Sequence, residues 1–148
     1  MPEKKTLKRA GRAKREGKAP STQAGEFVRE EMEHIREGKH GARSTKQAIA
    51  IGLSKARRAG VKLNPPKAGS VSKETRRKAQ RDSAKGASRQ QPNAKRSRAT
   101  TRALKREGHA AASKEALSRQ SRASAGKRTQ AQRSASAKKA TRTRAENS

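Results

Sequence analysis

Few residues in this chain have side chains suited to acid–base or metal chemistry. Histidine occurs at His34, His40 and His109, and there is no cysteine. Glu26, Glu30, Glu31, Glu33 and Glu37 gather within reach of two arginines, Arg29 and Arg36. His34 and His40 stand six apart with no thiolate partner, a linear spacing that matches no metal-site signature. Glu26 and Glu33 lie three and four positions from Arg29, and Glu33 three from Arg36, so the cluster reads as helix-dipole complementarity and ion pairing along one helix rather than a paired-carboxylate active site. There is no P-loop, no G-x-G-x-x-G and no Ser-His-Asp frame. Catalysis needs groups held by a rigid shell. The expectation is therefore no enzyme, no catalytic residue, no cofactor and no metal.

The chemistry in excess is cationic. Lys and Arg number 41 against 12 acidic residues, a net charge of +29 over 148 residues. Such a chain repels itself and attracts polyanions. Lysine and arginine neutralise phosphates and release condensed counterions, and arginine enters a narrow minor groove without reading bases. Readers of single strands stack bases on exposed rings. Here Phe27 is the only aromatic residue, which disfavours RNA-recognition, OB-fold and cold-shock modules. The candidate phosphate contacts fall in two groups. Arg43, Lys46, Lys55, Arg57, Arg58 and Lys62 flank one predicted helix, where the competing reading is that cations favour a helix C-terminus. Arg96, Arg98, Arg102, Lys105, Arg106, Arg119, Arg122, Lys127, Arg128, Lys138, Lys139, Arg142 and Arg144 follow along the C-terminal half.

The elements that must position these groups have little apolar material. The apolar fraction is 28%, but 27 of those residues are alanine and only 14 are larger. Nine of the 14 lie between 26 and 63. Large side chains each contribute ~1.5–3 kcal/mol on burial, against ~1–2 kcal/mol to order each residue. A single core organising the whole chain is not expected. Residues 22–63 read as a helical hairpin. Ala24, Phe27, Val28, Met32 and Ile35 make one helical stripe, with Glu31 its only charged member. Ser21 or Thr22 caps its start and Gly38 ends it. Ser44-Thr45-Lys46-Gln47 is a capping-box pattern opening a second stripe, Ile49, Gly52, Leu53 and Ala56, that Gly60 ends and Pro65-Pro66 forbids from continuing. The hairpin is small enough that a homodimer through the Phe27/Val28/Met32/Ile35 and Ile49/Leu53 faces would complete its core.

The fold class expected is mainly α with extensive disorder: a basic arm at 1–21, the hairpin at 22–63, a linker with a transient helix at 64–96, a weak helix-turn-helix-like segment at 97–124, and a disordered Lys/Arg/Ala/Ser tail at 125–148. An Arg-Glu-Gly followed by a short loop and Ser recurs from Arg15, Arg36 and Arg106, which generic helix punctuation explains at least as well as duplication. No apolar run reaches membrane-spanning length and no secretory leader is recognised.

The stretch Ser44 to Leu63, STKQAIAIGLSKARRAGVKL, resembles a family of small basic bacterial proteins of unknown function, often labelled DNA-binding. STQAGEFVREEMEHIREGKHGAR and SRATTRALKREGHAAASKEALSRQ are similar to its other blocks, so the resemblance covers about 1–125. It implies a bacterial, cytoplasmic, nucleoid-associated protein and supplies no catalytic residue. The expectation is histone-like, sequence-nonspecific binding of double-stranded DNA with compaction of the duplex. The alternatives are an RNA- or ribosome-associated basic factor and a protein-interaction module built on the hairpin face.

Overall fold

Alanine and glycine let helix axes approach more closely than leucine-rich faces do, and this chain packs mainly by that means. The computed structural model describes residues 1–88 and 90–148. Among these it forms α1 (Lys4–Arg15), α2 (Pro20–Arg36), α3 (Thr45–Arg58), α4 (Lys73–Ala87), α5 (Ala94–Leu104), a 3-10 turn (Ala110–Ala112), α6 (Lys114–Gly126) and α7 (Gln130–Glu146). None of these helices is long and apolar enough to cross a membrane.

Local rules account for the boundaries. Pro20 occupies the first turn of α2, where its missing N–H costs nothing, so the helix begins after Ala19 rather than at a Ser21 or Thr22 cap. Gly38 and Gly60 take the left-handed residue that follows α2 and α3, with φ of 75° and 94°. Ser44 Oγ accepts from Gln47 N at 3.1 Å. The Gln47 side chain accepts from Arg43 N at 2.7 Å, one residue earlier than a reciprocal box would have it. Ser72, Asn93, Ser113 and Thr129 cap the four later helices, and Thr129 with Gln132 forms a full capping box.

α2 and α3 pack as an antiparallel pair, with α1 on α2 and α4 on α3. Phe27 sits with Ala10, Ala24 and Ala56, edged by Leu53, Val61 and Leu63. A second cluster joins Met32, Ile35, Ala42 and Ala48 to Ala111 and Ala112, with Val28, Ile49 and Leu117 against it. Of the faces named for a homodimer, Phe27, Met32 and Ile35 are buried within one chain, and Val28, Ile49 and Leu53 are partly buried. Gly52 is where α2 and α3 touch: a Cβ there would stand 2.6 Å from Val28 Cα. Gly86 serves α4 likewise, against the Arg57 carbonyl.

The expected disorder after residue 63 is not what the chain does. α4 is a packed helix that buries Ala79, Asp82 and Gly86. Asp82 accepts from Ser54 Oγ at 2.7 Å and from Arg58 Nε at 2.8 Å. The 104–117 segment docks on the hairpin through backbone: Gly41 N donates to Leu104 O, Ala42 N to Gly108 O, Thr45 Oγ1 to Ala111 O and Arg36 Nε to Ala112 O. The count of large side chains missed this because the contacts are made by alanines, glycines and carbonyls. Alanine gives up no side-chain entropy on burial, so a thin core orders more chain than its volume suggests. α5, α6 and α7 bury no residue completely; α6 touches the core through Leu117 and packs against α3 and the 3-10 turn, whereas α5 and α7 rest mainly on capping and alanine propensity.

Candidate nucleic-acid interface

The six hairpin cations separate into two sets. Arg43, Lys46 and Lys62 are exposed. Lys55, Arg57 and Arg58 turn inward. Lys55 Nζ pairs with Glu31 Oε1 and lies 3.9 Å from Glu30 Oε1. Arg58 is held by Asp82. Arg57 is buried and donates to Asn64 O at 3.2 Å. Burial pushes its pKa down, opposed by the Asp82 charge. These three bind elements of the fold to one another.

Arg43 and Lys46 stand at the N-terminus of α3, where backbone N–H groups carry partial positive charge. A shallow groove there is lined by Ser44, Thr45, Lys46, Ala116, Arg119, Gln120 and Ala123. A helix N-terminus flanked by Lys46 and Arg119 suits a phosphate.

From residue 90 onward the surface is cationic on every helix. Arg96, Arg98 and Arg102 lie on α5, with Lys105 and Arg106 just beyond it. Arg119 and Arg122 lie on α6, and Lys127 and Arg128 between α6 and α7. Lys138, Lys139, Arg142 and Arg144 lie on α7. All are exposed. Among the described residues, the ion pairs of this chain involve no Lys or Arg beyond Arg58.

A separate polar cluster lies between α2 and the loop that follows it, and the linear spacing gave no sign of it. Glu31 Oε2 faces His40 Nε2 at 3.1 Å. His34 stands beside His40 with ring centroids 6.0 Å apart and nearly perpendicular planes. One ligand atom from each of Glu31, His34 and His40 lies within 4.8 Å of the others. His40 Nδ1 donates to Gly41 O at 2.9 Å, and His34 Nε2 lies 2.8 Å from Glu3 Oε1. Glu3 N donates to Glu30 Oε2 at 3.2 Å. The bond to His34, with Lys39 nearby, holds the Glu3 carboxyl below its ordinary range. The Glu37 carboxylate raises the pKa of Lys39. The one sequence signal for this cluster is Glu31, a charge inside an apolar stripe.

A family of unknown function (DUF6496) matches residues 17–68. The matched span runs from the turn after α1 through α2 and α3 to the chain beyond Pro65-Pro66, less than the 1–125 of the sequence resemblance, and its description assigns no activity. No curated protein and no solved structure matches the chain.

Proposed function

We propose that this protein binds double-stranded DNA without sequence preference, through phosphate contacts from its C-terminal helices. The observation that carries the reading is that all sixteen Lys and Arg residues between 90 and 148 are exposed and, among the described residues, none pairs with a carboxylate. Three glutamates accompany them in that span. A surface built to be soluble interleaves both signs of charge; this one leaves cations free on successive helices. The lack of exposed rings favours a duplex backbone over splayed single strands. The groove at the start of α3 adds a phosphate position on the hairpin itself.

The test is the salt dependence of binding by the full chain to one mixed-sequence DNA duplex, with the matching RNA duplex alongside. Engagement of ~6–10 phosphates lowers affinity by ~10³–10⁵ between about 50 and 200 mM salt. A shallow slope overturns the phosphate reading. A steep slope with RNA bound as well as or better than DNA replaces it with the RNA-associated alternative.

A further inference from the structure

We propose that Glu31, His34 and His40 form a binding site for one divalent transition-metal ion of the zinc type. The argument begins with proton placement. The carbonyl of Gly41 can only accept, so the 2.9 Å contact puts a proton on His40 Nδ1. In the neutral ring Nε2 then carries a lone pair, and it faces Glu31 Oε2, a second acceptor, at 3.1 Å. Two acceptors at that separation need a cation between them.

The cation is either a second proton on the ring or a metal. Glu31 Oε2 is fully buried and has no hydrogen-bond partner, so the ring N–H direction is not aligned on it. A metal does not require that alignment, because it sits off the N···O line. With metal–nitrogen and metal–oxygen bonds of ~2.0–2.2 Å, a 3.1 Å separation corresponds to an N–metal–O angle of about 95°, within the range of zinc coordination. Lys55 occupies the other oxygen, Oε1, and leaves Oε2 free.

His34 supplies the third ligand. If Nε2 donates to Glu3, its Nδ1 holds the lone pair, and a small ring movement closes the 4.8 Å cluster onto an ion. Both imidazoles thus have an acceptor for their second nitrogen, one a carboxylate and one a backbone carbonyl, which is the outer shell that orients histidine ligands. The side chains are 1% (Glu31), 11% (His40) and 14% (His34) exposed, so the site is closed yet reachable from the His34 side. Local charge agrees: Glu3, Glu30, Glu31 and Glu37 against Lys39 and Lys55 leave −2, which a divalent ion cancels, on a chain that is otherwise strongly positive. Metal here would tie α2 to the loop whose Gly41 and Ala42 N–H groups receive the 104–108 segment.

The test is zinc titration of the untagged, chelator-stripped full chain against a chromophoric chelator, with cobalt as a spectroscopic probe and histidine nitrogen shifts as the site-resolved readout. One ion per chain is expected, with His34 and His40 resonances displaced and His109 unmoved. His40→Gln and Glu31→Gln should each weaken zinc by more than about 100-fold, and Glu3→Gln by about 10–100-fold. Because Glu31→Gln strands Lys55, partly exposed His34→Gln is the deciding variant if Glu31→Gln loses helical signal. Absence of one-to-one uptake overturns the proposal. So does uptake that His34→Gln and His40→Gln leave unchanged while both retain the parent helicity.

Discussion

Gly25 and Gly52 are both helical glycines, and replacing each with alanine separates intrinsic preference from packing. Each gains about 0.8–1 kcal/mol of helix propensity from the new methyl group. At Gly25 in α2 a Cβ meets nothing within 4 Å, so that gain stands alone. At Gly52 in α3 the Cβ meets Val28 Cα at 2.6 Å and Val28 N at 2.8 Å, and backbone atoms cannot rotate aside. Overpacking of this kind costs about 1–3 kcal/mol. Gly25→Ala should therefore stabilise by about 1 kcal/mol. Gly52→Ala should range from neutral to about 2 kcal/mol destabilising once its propensity gain is subtracted. The propensity terms cancel in the difference, which isolates the strain. At about 2–4 °C per kcal/mol for a chain of this size, the two melting temperatures should differ by roughly 2–12 °C. Thermal unfolding followed by circular dichroism at matched ionic strength reads this directly. Equal increases in Tm for both variants would refute the close approach of α2 and α3.

Other expectations follow from particular contacts. Asp82→Ala removes the acceptor for both Ser54 and Arg58 and should cost about 2–4 kcal/mol in urea unfolding, because it leaves a partly buried guanidinium uncompensated. The Glu3 carboxyl should titrate below 4.5 in a carbon-detected NMR series and move upward in His34→Ala. Its folded pKa is the depressed one, so its contribution to stability is present above pH 4.5 and is lost as pH falls through the folded value. Replacing Arg96, Arg98, Arg102, Lys105 and Arg106 together with glutamine should flatten the salt slope of duplex binding by up to about 4–5. Lys55→Gln should leave that slope unchanged while lowering stability, since its charge is spent on Glu31. Gly41→Ala drives a Cβ into the Glu107 and Gly108 carbonyls and should abolish hydrogen-exchange protection at the Ala42 N–H.

The parts legible in the sequence were those governed by local chemistry. The Ser44 cap and the Gly38 and Gly60 stops are where their residue types placed them, because a capping hydroxyl or a left-handed glycine acts within one turn. The docking of α4 and of 104–117 was not legible. Its contacts run through Gly86, Ala111, Ala112 and backbone carbonyls, which a search for large apolar stripes does not register. The cationic surface was legible as composition, but its division was not. Arg57 and Arg58 look like Arg43 and Lys46 in one dimension, and only the folded chain shows that the first two face backbone and carboxylate. His34 and His40 meet because the loop after α2 folds back across its last turns, a long way from anything a spacing rule can see.

The bonds from Gly41, Ala42 and Thr45 to Leu104, Gly108 and Ala111 also set an order of assembly. Closing α2 on α3 spans one short loop, whereas Thr45 and Ala111 are 66 positions apart. Loop-closure entropy grows with the logarithm of length, so the hairpin forms first and the later segment arrives on a surface already made. During synthesis the Met32, Ile35 and Ala48 cluster leaves the ribosome well before Ala111 and Ala112 exist to cover it. For that interval the nascent chain shows an open apolar notch, which the last third of the protein closes.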